Sequence, residues 1–76
     1  MKNYRQFTGI IEKEENGYVS LCPELDIASQ GDSVEEARNN LIEALELFFE
    51  TAAPTEIQQR LHENNLFITP LEVAVG

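Results

Sequence analysis

The sequence has no tryptophan, one methionine, one cysteine and one histidine, and only five of its 76 residues are lysine or arginine. Each scarcity removes a class of function. Cys22 alone cannot close an internal disulfide. With neither a nearby base nor a helix N-terminus to hold a thiolate, it reads as a small packed side chain rather than a nucleophile. His62, the single histidine, leaves no His-rich zinc site and no two-histidine acid–base pair within one subunit; it is expected to face water near a helix end. Five basic residues against fourteen acidic ones give a formal charge of −9. Such a surface repels phosphates and attracts a basic protein, so no direct nucleic-acid binding is expected. No twenty-residue apolar run and no signal peptide is present, so the chain reads as cytoplasmic, without membrane contact.

What remains is a folding composition. Hydrophobic residues make up 42% and there are three prolines, which fits a globular chain rather than a disordered one. Residues 1–76 read as a single domain, small enough to bury only about 60% of its unfolded surface, so a partner subunit would add stability. The negative charge is concentrated: Glu12 to Glu50 holds eleven acids against Lys13 and Arg38.

Tyr4 to Lys13 alternates imperfectly and reads as a first strand, with Gly9 marking a bulge or a close backbone approach. Asn16-Gly17 fits the two positive-φ positions of a type I′ turn, which pairs this strand with a second from Tyr18 to Cys22. Pro23 closes the second strand, and Leu25 to Gln30 reads as a short third. Gly31 supplies freedom for the turn into a helix, and Ser33 and Glu36 have capping-box spacing, so the helix starts at Val34. Val34, Ala37, Leu41, Ala44, Leu45, Phe48 and Ala52 form an apolar stripe that must lie on the sheet. Pro54 ends the helix near Ala52. Thr55 and Gln58 then have the spacing to cap a second helix with Ile57 and Leu61 on one edge, up to Asn64-Asn65. Leu71 to Val75 alternates as a last strand. The fold class is α+β, in the order β-β-β-α-(α)-β, with a three-to-four-stranded sheet and one long helix packed on one face.

Within Glu15 to Leu45, ENGYVSLCPELDIASQGDSVEEARNNLIEAL, the residues Tyr18, Pro23, Glu24, Leu25, Gly31, Asp32, Ser33, Glu36 and Ala37 stand in an order and spacing that resembles the HicB-type antitoxin family. The match covers roughly residues 4 to 52; many relatives carry Pro-Gly after the leucine where this chain has Asp26-Ile27. The resemblance implies a cut-down ribonuclease-H-like sheet and an antitoxin that occludes a small basic mRNA-cleaving toxin of the HicA type. Longer members append a DNA-binding segment; here Ala53 to Gly76 offers Arg60 as its sole basic residue, so no operator binding is expected.

Nuclease chemistry in such a sheet needs converging carboxylates that hold metal ions about 4 Å apart. The first strand places Gly9, Ile10 and Ile11 where an acid would be wanted, and Ser20 and Ser29 have no base nearby. No catalytic residue, metal site or cofactor is therefore expected. The candidate toxin contacts are the hairpin end with Glu14, Glu15 and Tyr18, the loop acids Glu24 and Asp26, and the helix acids Glu43, Glu46 and Glu50. Leu47 and Phe49, on the flanks of the stripe, are candidate contacts of a homo-oligomer, a dimer or tetramer. Asn16, Gly17, Pro23, Gly31, Asp32, Ser33 and Glu36 read as structural. The competing reading is an orphan oligomeric binding or scaffold module of the same fold without a toxin.

Overall fold

A computed structural model describes residues 3–63 and 66–76; the Asn64-Asn65 break expected after the second helix lies outside them. Three antiparallel strands, β1 (Ile10–Glu14), β2 (Gly17–Cys22) and β3 (Ile27–Gly31), form a sheet in the order β1-β2-β3. Helices α1 (Val34–Thr51) and α2 (Pro54–Glu63) follow. The α+β class and the strand–helix order agree with the sequence reading.

Helix α1 begins where its caps dictate. The Ser33 hydroxyl accepts from the Glu36 amide at 3.0 Å, satisfying one donor left over at the helix start. The Glu36 carboxylate accepts from the Asp32 amide at 3.0 Å, one residue before the cap, which ties the incoming chain to the first turn. Ala37 and Leu41 are buried, whereas Val34, expected in the same stripe, overhangs the sheet and is half exposed. Helix α2 starts one residue before the expected Thr55–Gln58 box. Pro54 occupies its first turn, where a missing N–H costs nothing, and Ala53 accepts the first helical bond from Ile57.

Side chains alternate across the strands. The row Ile11–Ser20–Ser29 and the pair Cys22–Ile27 face the helix, while Ile10–Leu21–Ala28 faces away. The inward set is thus the smaller and more polar one. Ala37 explains it: the Ser20 hydroxyl donates to the Ala37 carbonyl at 2.8 Å, and both residues are fully buried. Helix and strand approach so closely there that only small side chains fit. Gly31 serves the same contact, since a Cβ there would lie 2.5 Å from the Ala37 nitrogen and 2.8 Å from the Glu36 carbonyl carbon. Its backbone does not have a positive φ, so close approach rather than conformational freedom requires the glycine. The core joins Cys22, Leu25 and Leu41 with the half-buried Phe7, Ile27, Leu45, Phe48, Phe49 and Leu61.

Four sequence expectations are corrected. Glu14 pairs with Gly17, so Glu15 and Asn16 form the hairpin loop. Asn16 has no positive φ. The turn is therefore not the type I′ turn centred on Asn16-Gly17; Gly17 instead opens β2 at φ 153°, with room for no Cβ because the Gly31 carbonyl oxygen would sit 2.9 Å away. Strand β1 starts at Ile10 rather than Tyr4, because the preceding residues have no strand beside them. Strand β3 starts at Ile27 rather than Leu25, because residues 23–26 form a turn in which Asp26 has φ 54°. The last strand does not form: residues 66–76 have no regular structure and are exposed.

Replacing Gly31 with alanine is expected to destabilise the fold by about 1–3 kcal/mol, the range for overpacking a tight contact. Urea unfolding at fixed protein concentration measures it; an unchanged midpoint would mean that the helix shifts freely.

Candidate functional site

Antiparallel pairing returns the end of β3 to the hairpin. Tyr18 lies opposite Gly31, so Asp32 and the first turn of α1 sit beside the Glu14–Gly17 turn. The result is a groove of about 570 Å³ whose acids are Glu14, Glu15, Asp32 and Glu36, with Tyr18 and Asn40 also in its wall. A second groove, shallow and wide open, adjoins it along α1 and is lined by Glu35, Glu36, Asn39, Asn40, Ile42 and Glu43, among others. Glu36 and Asn40 belong to both. Asn40 is held in place by its amide, which donates to the Gln30 carbonyl at 2.8 Å. One acidic surface therefore runs from the hairpin tip onto the helix, and its acids are exposed to water.

Four of the candidate contacts fall on this surface: Glu14, Glu15, Tyr18 and Glu43. Glu46 and Glu50 are exposed farther along α1 and line neither groove. Asp32 and Glu36, which read from the sequence as structural, also line the first groove and keep their hydrogen bonds at the helix start. Their signal was available: in a three-stranded meander, the chain leaving the third strand must arrive at the first hairpin.

Glu24 has a different task. Both its carboxylate oxygens accept from the Thr8 amide, at 3.1 and 2.9 Å, and the Cys22 thiol donates to it at 3.6 Å. The half-buried carboxylate fastens the Pro23–Asp26 turn to the chain leading into β1 and lines neither groove. Desolvation is the largest influence on its pKa and would raise it. Hydrogen bonds from Thr8, from its own backbone and from Cys22 together outweigh that, and the carboxyl sits below its ordinary value. Burial pushes the Cys22 thiol up; a backbone hydrogen bond from Leu25 opposes this and the Glu24 charge adds to it. The thiol is wholly buried, in keeping with a packed side chain. Arg60 fixes the same turn from α2, donating to the Leu25 carbonyl at 3.0 Å with its guanidinium 5.1 Å from the Phe48 ring centroid.

The paired oligomer candidates separate. Two residues apart on a helix, they cannot face the same way. The Phe49 ring stacks on Phe7 with centroids 5.6 Å apart and joins the core, while Leu47 remains 59% exposed. Among the described residues, no group of three or more His, Cys, Asp or Glu side chains could hold a metal ion, and no helix is long and apolar enough to cross a membrane.

A three-stranded meander with one long covering helix, one acidic face and a tethered Cys-Pro-Glu-Leu turn defines a small α+β domain. The chain is 42% identical over 66 residues to a UPF0150 protein of Helicobacter pylori, a match covering 86% of this chain and 90% of that one. A UPF0150 protein of Synechocystis sp. is 37% identical over 76 residues, covering 97% and 94%, and one of Thermotoga maritima 46% over 56 residues, covering 68% and 75%. This chain belongs to the UPF0150 family. No protein-family model matches it, and no solved structure does.

Because the folded-state pKa of Glu24 is depressed, its contribution is full at neutral pH and is lost as pH falls below the ordinary carboxylate range. Glu24→Gln is expected to cost about 1.5–3 kcal/mol at pH 7, the worth of hydrogen bonds to a charged group, and less at pH 3. Urea midpoints of both proteins at the two pH values measure this; an equal loss at both would show that the charge is irrelevant.

Proposed function

We propose that this chain is a HicB-type antitoxin that binds a small basic HicA-type ribonuclease and covers its active site, with no chemistry of its own. One observation carries the reading: the fold gathers Glu14, Glu15, Asp32, Glu36 and Glu43 into a continuous surface, though these residues come from two separate segments, the hairpin and the stretch from Asp32 along α1. Carboxylates spaced along a groove offer a nuclease the charge pattern of a phosphate backbone. They speed encounter with a basic partner and exclude its substrate from the same surface. The motif resemblance and membership of the UPF0150 family support the reading. With Arg60 occupied at the Leu25 carbonyl, the segment after α1 has no free arginine to offer a promoter, and operator binding is assigned to no part of this chain.

The exposed apolar surface favours a second reading, an oligomeric scaffold module without a toxin. An adjacent reading frame for a basic protein of similar length, whose toxicity this chain relieves, separates the two.

In a complex with that neighbour, Glu15→Lys combined with Glu43→Lys is expected to slow association tenfold or more at low salt, and the effect should shrink as salt is raised. Glu50→Lys and Glu56→Lys, outside the grooves, should change the rate little. Stopped-flow mixing provides the measurement. Equal effects of both pairs would leave only net charge at work and remove the grooves from the interface.

A further inference from the structure

We infer that residues 66–76 form an exchanged arm, which adds as a strand to the β1 edge of a second copy of this chain. Four observations lead there. First, too much surface is exposed for a self-sufficient monomer. The chain exposes 6548 Å², roughly 1,800 Å² more than the ~4,700 Å² expected of a compact monomer of its mass. Its radius of gyration is 14.5 Å, against about 11 Å for a compact chain of this length. The excess is comparable to the ~1,600 Å² that a standard stable interface buries.

Second, the arm has the pattern of a strand and none of its partners. Leu71, Val73 and Val75 alternate with Glu72, Ala74 and Gly76, and the three apolar side chains are 82%, 69% and 95% exposed. Among the described residues, no backbone hydrogen bond links 66–76 to the rest of the chain. Pro70, which has no amide to donate, stands where a strand can begin without one. The alternating segment 71–75 has the same five-residue length as β1.

Third, among the described residues both outer strands lack a neighbour on one side, and the β1 edge is the less obstructed of the two. On the β3 side, Asn40 caps the Gln30 carbonyl and α1 crowds Gly31. On the β1 side no strand follows. Next to that edge, the sheet face turned away from α1 carries the cross-strand row Ile10–Leu21–Ala28, with Ile10 49% and Leu21 36% exposed. An added strand would set one of Leu71, Val73 and Val75 beside Ile10, extending this row by one residue.

Fourth, charge selects the occupant. Each copy carries −9, so two copies can meet only where acids are sparse. The arm holds one acid, Glu72, and the β1 strand that would receive it sets Lys13 between Glu12 and Glu14. A basic partner is drawn to the grooves and gains nothing from an apolar arm. Reciprocal exchange between two copies makes a closed, twofold interface and leaves no arm over. It is independent of the toxin reading.

The test uses the full chain. Sedimentation equilibrium is expected to give a dimer, and isotope-filtered NOE spectra of mixed labelled and unlabelled chains should show contacts between 71–75 and β1 that cross between chains. Leu71→Asp combined with Val73→Asp should raise the dimer dissociation constant at least a hundredfold while the circular dichroism spectrum is kept; Leu47→Asp, on the helix flank, should not. A monomer with rapidly exchanging amides at 71–75, arm-to-β1 contacts that stay within one chain, or a dimer indifferent to the arm variant but broken by Leu47→Asp would each overturn the inference.

Discussion

The structure turns on the contact between α1 and the sheet at Gly31, Ala37 and Ser20. There is no side chain at 31, a methyl group at 37, and a hydroxyl at 20 that reaches the Ala37 carbonyl at 2.8 Å. A larger residue at any of these positions would lift the helix. That distance fixes more than the core. It sets Glu36 and Asn40 against the hairpin end, so local packing between three small residues determines where the carboxylates of two different elements meet.

Much of the fold could be read from local sequence. The hairpin, the Ser33–Glu36 cap and the α1 boundary at Pro54 depend on neighbours a few residues apart. Features that depend on distant partners were hidden. The Glu24 carboxylate looks like a surface acid in a loop until the chain at Thr8, sixteen residues away, is placed beside it. Phe49 looks like a flank residue until Phe7 arrives to stack on it. The alternation at 71–75 is a true strand signal, but a strand also needs an edge, and no pattern within the chain states which copy supplies it. The hairpin acids and Glu43 were legible from charge; Asp32 and Glu36 were legible only from the meander topology, because a capping residue already has a sufficient reason to be where it is.

Charge and apolar surface are kept apart in this domain. The hairpin tip and the solvent side of α1 carry acids, whereas the outward sheet row and the C-terminal segment carry isoleucine, leucine and valine. Such a division lets one face attract a basic protein while another joins like-charged copies, since apolar burial between copies brings only Glu72 toward the mixed-charge strand Glu12-Lys13-Glu14. The Glu24 and Arg60 tethers fix the Cys-Pro-Glu-Leu turn at the end of the sheet opposite the hairpin.

Backbone amide NMR of the labelled chain during titration with its basic ribonuclease partner tests most directly whether the acidic surface is the interface. An interface there requires the largest shifts at Glu15, Gly17, Tyr18, Asp32, Glu36, Asn40 and Glu43, with Leu21, Ala28 and α2 nearly still. Shifts confined to α2 or to the outward sheet row, with the hairpin tip and the start of α1 unmoved, would contradict it.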